Sequence, residues 1–272
     1  MFGGLFGCNF QRPWPIPLPS KPKVEKKRLD LLVVERGLAE SRQKAQAMIL
    51  AGEIRVDGAR SDKAGTLVPT AVQIEVTGTS TRYASRGGMK LEGALEDFGV
   101  NASGKTCLDI GASTGGFTDC LLAHDARHVY AVDVTTEQMA WRLQKDPRVT
   151  QLKENARNLR PEQIPERTNL VTMDLSFISV AKVLPAVVAA AGPAAEFLIL
   201  VKPQFELRRE DVGQGGIVRD AALHQRAVEG VRAAAIAAGL RVDGVRPSRL
   251  KGAEGNQEFF LHATKIPDNG NA

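Results

Sequence analysis

The chain has few of the residues that hold small extracellular domains or metal centres together. Its 272 residues include four histidines and three cysteines, Cys8, Cys107 and Cys120. So few cysteines, in an odd number, exclude a disulfide framework and fit a reducing cytoplasm, where we expect the protein to reside. The histidines are scattered and have no cysteine or acidic partner at ligand spacing, so we predict no metal site.

The chain also lacks a long hydrophobic run. Its most apolar stretch, 183–201, is interrupted by Pro185, Gly192, Pro193 and Glu196. These interruptions are typical of a helix, a loop and a strand, and no membrane insertion is expected. The N-terminal segment has no basic stretch ahead of an apolar one, so it does not resemble a secretory signal.

What the chain does contain is typical of a globular protein with a basic surface. Apolar residues make up 43% and charged residues 25%, and the formal net charge is +5. This composition is enough for a sizeable core, and the charge suggests an anionic partner, although it fits a basic protein without nucleic acid equally well. We expect flexible tails at 1–25, which includes a Pro-rich run, and at 267–272.

The first organised segment, 26–80, combines two short helices with strands. Leu29, Leu32 and Val33 recur at helical spacing, and Gly37 is well placed to end that helix. Ser41 is a good N-cap for a second helix. The pattern predicts helices at 28–36 and 42–51 and strands at 53–58 and 72–76.

Basic side chains are spread over the polar face of this segment. Such side chains can bind a phosphate backbone, but they also fit an ordinary solvated face. Three motifs, RLD at 28–30, SRQKA at 41–45 and GEIRVDG at 52–58, occur in the order found in the S4-like RNA-binding domain, which the segment resembles. The resemblance implies binding to structured RNA. Its candidate contact residues are Arg28, Arg36, Ser41, Arg42, Lys44 and Arg55.

The rest of the chain alternates short apolar strands with helical stretches. Strands are predicted at 106–110, 128–133, 170–173 and 197–201, and helices at 181–191 and 222–238. This alternation favours an α/β fold, a Rossmann-like doubly wound sheet with helices on both faces. We expect the small α+β domain at 26–80 to be joined to it by a linker at 81–88, with the larger domain at 89–266.

A glycine-rich loop follows the first predicted strand of the larger domain. Gly111, Gly115 and Gly116 allow sharp turns and close approach to a ligand, but they match neither the dinucleotide spacing nor a nucleoside-triphosphate loop. Asp133 ends the next strand, where a carboxylate can accept hydrogen bonds from both ribose hydroxyls of an adenosine. Asp109 ends the first strand, where its charge can face a cationic group. This combination favours S-adenosyl-L-methionine as the cofactor.

Four ionisable residues occur where the predicted sheet would present them to a ligand. Asp174 and Lys202 follow strands, Glu258 lies in or beside a strand, and Lys90 precedes the first strand of the larger domain. A lysine whose charged form is disfavoured by a second lysine and by burial can accept the proton of a ribose hydroxyl, and two carboxylates can orient the pair. The same residues could instead form ordinary surface ion pairs.

Five further motifs resemble the TlyA family: SRGGMKL at 85–91, DIGASTGGFT at 109–118, DLSFIS at 174–179, VKPQFE at 201–206 and GQGGIVRD at 213–220. The resemblance implies an FtsJ-like domain that methylates a ribose 2′-hydroxyl, of cytidine, in ribosomal RNA within ribosomal subunits. It implies a catalytic tetrad of Lys90, Asp174, Lys202 and Glu258. The implied cofactor contacts are Asp109, Gly111, Ala112, Ser113, Gly115, Asp133 and Val134, with Asn155 near the adenine.

Two other functions are kept as alternatives. Some TlyA-family members are called hemolysins, and a membrane-active protein would need an amphipathic or spanning segment, which does not stand out in this sequence. An RNA-binding protein with an inactive methyltransferase domain would lack part of the tetrad, whereas all four residues are present.

Overall fold

The chain divides into two compact units, Met1–Ser80 and Thr81–Ala272. The computed structural model describes residues 25–39, 41–76, 82–252 and 254–267. The expected tails at 1–25 and 267–272 lie almost wholly outside these residues, as does the first residue of the expected linker, and they stay predictions. No helix in the described part of the chain is long and apolar enough to cross a membrane.

The first unit is a small α+β domain. Its elements are β1 (Lys26–Arg28), α1 (Leu29–Glu35), α2 (Arg42–Leu50), β2 (Ile54–Val56), β3 (Ala59–Arg60), β4 (Leu67–Pro69) and β5 (Ile74–Val76). Strand β1 pairs with β4, and β2 lies between β3 and β5, all antiparallel. A core that includes Leu29, Val33, Ile49 and Ile54 joins the helices to the strands.

Both predicted helices of this unit are confirmed, together with their ends. Gly37 follows α1 with φ +70°, a left-handed conformation that glycine adopts without strain. The Ser41 hydroxyl accepts a hydrogen bond from the Lys44 amide at the start of α2. The short ladder of β1 with β4 was not predicted, because three-residue strands carry too little alternation to be recognised.

The second unit contains the remaining elements. They are α3 (Arg86–Phe98), β6 (Thr106–Ile110), α4 (Gly116–Ala123), β7 (His128–Asp133), α5 (Trp141–Gln144), β8 (Val149–Lys153), β9 (Leu170–Met173), α6 (Leu184–Ala190), β10 (Glu196–Val201), α7 (Pro203–Glu206), α8 (Ala221–Ala237), β11 (Leu240–Pro247) and β12 (Phe259–Lys265). The sheet has seven strands in the order β11-β12-β10-β9-β6-β7-β8. Strand β12 runs antiparallel to both of its neighbours, while β10, β9, β6, β7 and β8 are parallel.

Hydrophobic cores lie on both faces of this sheet. Ile199 packs with α6 and α8, whereas Leu200, the next residue of β10, packs with α3 and α4 on the opposite face. The α/β doubly wound prediction is confirmed. In open α/β sheets, ligands bind beyond the carboxyl ends of the parallel strands. We therefore expect a ligand site at the edge where β6, β7, β9 and β10 end.

The segment expected to be a linker, 81–88, includes the first turn of α3. Helix α3 begins at Arg86, and Tyr83 is buried in the core of the second unit. A Cβ at Gly88 would lie 2.4 Å from the Tyr83 Cβ, and one at Gly116 would lie 2.2 Å from the Ser85 Oγ. The small residues therefore allow close packing at the start of α3.

Candidate active site

The glycine-rich loop after β6 turns sharply and lies against the end of β9. Gly111 and Gly115 have φ angles of +84° and +92°, which side-chain-bearing residues rarely adopt. The Gly111 amide donates to the Val132 carbonyl at 2.9 Å. A Cβ on Gly111 would lie 2.4 Å from the backbone oxygen of Asp174, so the loop and the β9 end are in close contact.

Asp133 holds the far side of this loop. Its Oδ2 accepts a hydrogen bond from the Ser113 amide and its Oδ1 from the Thr135 amide, both at 2.9 Å. Each carboxylate oxygen has further lone pairs, and Asp133 is only half-buried, so it can still accept hydroxyl donors from a ligand. The neighbouring Val134 is exposed and offers an apolar surface beside it. A hydrogen-bond acceptor therefore lies beside an exposed apolar side chain at the end of β7.

Asp109 is fully buried beneath the loop. Its two oxygens accept hydrogen bonds from the Thr118 hydroxyl at 2.7 Å and the Thr172 hydroxyl at 3.0 Å. Burial raises the pKa of Asp109, the hydroxyls of Thr118 and Thr172 offset part of the rise, and the nearby Asp174 adds to it, so that the net value is about 6. The sequence interpretation has the charge of this carboxylate facing a cationic group of the cofactor, and that stays a prediction. In the structure its oxygens accept hydrogen bonds from Thr118 of α4 and Thr172 of β9, which connect these two elements to β6.

Asn155 lies just beyond β8, at the carboxyl-terminal edge of the parallel strands. Asp133 pairs with Lys153 at the carboxyl ends of β7 and β8, so Asn155 follows that pair by two residues. Its Oδ1 accepts a hydrogen bond from the Arg157 amide at 3.1 Å and caps a short turn of 3-10 helix. The Asn155 side chain is thereby fixed in place.

Lys202 and Asp174 form one ion pair at the carboxyl ends of β10 and β9. The Lys202 Nζ lies 2.5 Å from the Asp174 Oδ1 and donates a hydrogen bond of 2.9 Å to the Ser176 hydroxyl. Although it is in ionic contact, the buried Asp174 Oδ1 accepts no well-directed hydrogen bond from any described residue.

Lys90 and Glu258 form a second ion pair. The Lys90 Nζ, on α3, donates to the Glu258 Oε2 at 2.5 Å, and both side chains are buried. The fit around Glu258 is close, since a Cβ on Gly252 would lie 2.6 Å from its Oε1. Ordinary surface ion pairs, the alternative considered from the sequence, are exposed, whereas these groups are not.

The sheet register brings the two ion pairs to one edge. Val201 pairs with Phe259, so Lys202 and Glu258 lie immediately beyond the same register position on adjacent strands. Ile199 pairs with Met173, which places Asp174 beside the end of β10. This edge also carries the Gly111 loop, since β6 and β9 are neighbours. Two lysines and two carboxylates therefore lie along the edge that holds the candidate cofactor loop.

Phe177, which the sequence interpretation did not single out, is the most exposed of the large apolar side chains described. It is 90% exposed and has φ +66°. Its ring centroid lies 5.1 Å from that of Phe205. The segment is anchored by Glu206, whose carboxylate accepts hydrogen bonds from the Ser179 hydroxyl and the Val180 amide. A positive φ at an aromatic residue could have been found only from coordinates.

In the first unit, basic side chains converge on a buried carboxylate. Asp30 accepts hydrogen bonds from Arg28, Arg42 and Gln46 at 2.8–3.0 Å. The Arg28 hydrogen bonds hold the pKa of Asp30 well below its usual range, against the effect of burial, and Gln46 and Arg42 add to the lowering. Arg28 and Arg42 remain about half exposed, so their guanidinium groups are oriented yet still accessible.

The other candidate RNA contacts differ in how far they are engaged within the unit. Arg36 donates to the Val72 and Thr70 carbonyls, and Ser41 caps α2. Arg55 donates to the Gly58 carbonyl at 3.2 Å. Lys44 is exposed and forms no ion pair with any of the residues that the structure describes.

Comparison with known proteins matches this two-unit organisation. The S4 domain family matches residues 27–74, and the FtsJ-like methyltransferase family matches residues 83–265. A protein of Mycobacterium tuberculosis named 16S/23S rRNA (cytidine-2'-O)-methyltransferase TlyA is 49% identical over 236 residues, 86% of this chain and 88% of its own.

Two further relatives carry a different name. Hemolysin A from Brachyspira hyodysenteriae is 40% identical over 237 residues, 86% of this chain and 98% of its own. A solved structure from Streptococcus thermophilus, also named as a hemolysin, superposes with a TM-score of 0.70 at 38% identity, covering 91% of this chain and 92% of that one. With an S4 domain ahead of an FtsJ-like methyltransferase domain and relatives aligned over most of its length, the chain belongs to the TlyA family.

Proposed function

We propose that the protein transfers a methyl group from S-adenosyl-L-methionine to a ribose 2′-hydroxyl, of cytidine, in ribosomal RNA. The observation that carries this proposal is the pair of lysine–carboxylate contacts beside the glycine-rich loop, Lys202–Asp174 and Lys90–Glu258. A methyltransferase relative named for 2′-O-methylation of cytidine in ribosomal RNA supports the choice of acceptor.

The loop and Asp133 would hold the methyl donor. Asp133 would accept hydrogen bonds from both ribose hydroxyls of the cofactor, while the amides of Ser113 and Thr135 keep its carboxylate oriented. Gly111, Ala112 and Gly115 leave the backbone free of bulky side chains where the ligand must approach, and Val134 and Asn155 would flank the adenine. When bound, the cofactor supplies a methyl group on a positively charged sulfur, which is activated for displacement.

The lysine–carboxylate pairs would activate the acceptor. The 2′-hydroxyl proton passes to the Nζ of Lys202 in its neutral form while the ribose oxygen attacks the methyl carbon. Transfer would form a carbon–oxygen bond on the ribose as the carbon–sulfur bond of the donor breaks, which would leave a 2′-O-methyl ribose and a neutral thioether. Asp174 orients Lys202, and Glu258 orients Lys90, which stabilises the negative charge that develops on the ribose oxygen.

The substrate RNA would be bound at two places on the chain. In the first unit, Arg28 and Arg42 are oriented by Asp30, and the exposed Lys44 adds a flexible charge, so these side chains suit contacts to phosphates. In the second unit, the exposed ring of Phe177 lies three residues beyond Asp174, where it can stack on a base displaced from its helix.

A methyl-transfer assay with mapping tests this proposal. The purified chain is incubated with radiolabelled S-adenosyl-L-methionine and ribosomal subunits from cells that lack it, and 2′-O-methylation is located by alkaline hydrolysis, which a 2′-O-methyl group blocks. We expect label at a cytidine ribose. Lys202→Ala and Asp174→Ala should abolish incorporation and retain S-adenosylhomocysteine binding, whereas Asp133→Ala should lose that binding.

Three results would contradict parts of the proposal. Full activity in Lys202→Ala or Asp174→Ala would overturn the tetrad. Methylation of a base instead of a ribose would overturn the acceptor. Tight binding of ribosomal RNA by the wild-type chain with no methyl incorporation would favour an inactive methyltransferase domain.

A further inference from the structure

A tryptophan lies on the surface beside the cofactor loop. Trp141, the first residue of α5, is 69% exposed, although burying such a ring is ordinarily favourable. The amide of the preceding residue, Ala140, donates to the Thr114 carbonyl of the glycine-rich loop at 3.0 Å. The indole therefore lies on a segment bonded directly to the loop that would hold the methyl donor.

The exposure of Trp141 does not come from a loosely attached helix. Leu143 and Met139 are buried, and a Cβ on Gly115 would lie 2.4 Å from the Leu143 Cδ1. Arg142 forms a bidentate ion pair with the buried Asp119 of α4. Helix α5 is thus fixed by its inner residues, which leaves the indole on a rigid support in solvent.

A lysine lies over one face of this indole. The Lys145 Nζ is 4.4 Å from the Trp141 ring centroid, within the range of a cation–π contact. Lys145 is exposed and forms no ion pair within 82–252 or the other described ranges. An aromatic face with an available ammonium group is the combination that proteins use for single-stranded nucleic acid, the ring for a base and the cation for a phosphate.

We infer that Trp141 and Lys145 form a contact for a nucleotide of the substrate RNA, outside the lysine–carboxylate site. A base stacks on the indole, and the Lys145 ammonium, displaced from the ring, contacts the phosphate of that nucleotide. The contact rests on the proposed function, because RNA must approach the Gly111 loop to receive a methyl group. It would hold the strand beside the target nucleotide and add to the binding by the first unit.

Kinetics of methyl transfer to ribosomal subunits provide the first test. Trp141→Leu keeps an apolar side chain but removes the ring, and we expect it to raise the KM for subunits about tenfold. Trp141→Phe, the matched control, should stay within about threefold of wild type because it retains a stacking face. Lys145→Ala should raise the KM less and weaken its dependence on salt. A Trp141→Leu variant with the wild-type KM would overturn the inference.

Fluorescence provides a second test that does not need catalysis. The chain has two tryptophans, so Trp14→Phe leaves Trp141 as the reporter. Protein-free ribosomal RNA should quench its emission, whereas S-adenosylhomocysteine alone should leave most of it. Equal quenching by S-adenosylhomocysteine would assign the indole to the cofactor and overturn the RNA contact, as would RNA binding without quenching.

The two tests separate this inference from the proposed function. If the wild-type chain transfers no methyl group to subunits, the proposed function fails, and RNA quenching of Trp141 still decides the contact. If the wild type is active, Trp141→Leu has the wild-type KM and RNA binds without quenching Trp141, the contact alone fails.

Discussion

The Lys90 Nζ donates to the Glu258 Oε2 at 2.5 Å and joins two residues that are 168 positions apart in the chain. Lys90 belongs to α3, the first helix in the described part of the second unit, and Glu258 immediately precedes β12, its last strand. One buried ion pair therefore connects the two ends of the domain at the edge that carries the candidate site. Its contributions to stability and to catalysis can be separated by mutation.

Removing one charge of this pair should destabilise the second unit. Glu258→Gln leaves the buried Lys90 ammonium without a carboxylate, and we expect a loss of about 3 kcal/mol in the free energy of unfolding. Urea unfolding followed by Trp141 fluorescence, in a Trp14→Phe background, measures the change. The double variant Lys90→Met/Glu258→Gln removes both charges and should recover more than half of the loss, yet remain inactive. If the double variant is less stable than Glu258→Gln, the pair stabilises in some other way.

The close contact between the glycine-rich loop and β9 gives a second prediction. Gly111→Ala places a Cβ 2.4 Å from the Asp174 backbone oxygen at φ +84°, so we expect the Kd for S-adenosylhomocysteine to rise at least about tenfold. Gly239→Ala is the matched control, because Gly239 has φ +91°, has open space where a Cβ would lie, and immediately precedes β11, at the opposite edge of the sheet. It should cost about 1 kcal/mol in stability and leave ligand binding unchanged. Equal effects on binding would show that backbone strain alone is responsible.

Much of the central sheet could be predicted because its strands are buried on both faces. Such strands are continuous apolar runs, and the bounds predicted for β6, β7 and β9 agree with those observed. Strands β8 and β11 were missed, since both are partly exposed and interrupted by polar residues. The apolar pattern of a strand reflects how far its side chains are buried. Strands β8 and β11 are buried too little to give a pattern that can be recognised.

The four tetrad candidates could be named from the sequence, but their partners could not. Strand β12 enters the sheet between β10 and β11, and that order decides which strand end lies beside which. The strand order places Lys202 beside Asp174 and Glu258, and Lys90 contacts Glu258 from α3. Sequence spacing contains no information on such long-range neighbours, so the geometry of the site required the structure.

The buried Asp109 should make stability depend on pH. Burial raises its pKa in the folded state to about 6, above the value of about 3.9 for an unfolded aspartate. Between about pH 4 and pH 6 the folded state retains a proton that the unfolded state has released, so stability falls as pH rises through this window. The asparagine of Asp109→Asn cannot titrate. Between pH 4.5 and pH 7, the free energy of unfolding of wild type should therefore fall by about 2 kcal/mol more than that of Asp109→Asn.

Urea unfolding at several pH values measures this contribution. Asp125→Asn is a suitable control, because Asp125 is exposed and has φ +60°, which asparagine tolerates. It should leave the pH dependence as in wild type. If Asp109→Asn and wild type lose stability in parallel between pH 4.5 and pH 7, then Asp109 is ionised throughout and its burial does not control the proton.

Because the backbone at Phe177 is strained, replacing this residue should reduce activity while it changes stability little. An aromatic residue at φ +66° stores about 1–2 kcal/mol of strain, and its ring, 90% exposed, gains little from burial. Phe177→Gly relieves that strain while it increases the entropy of the unfolded chain, so the free energy of unfolding should change by less than about 1 kcal/mol. Methyl transfer to ribosomal subunits should fall about tenfold through the loss of base stacking, with S-adenosylhomocysteine binding unchanged. A large loss of stability together with normal transfer would mean that Phe177 supports the fold through Phe205 and has no part in RNA binding.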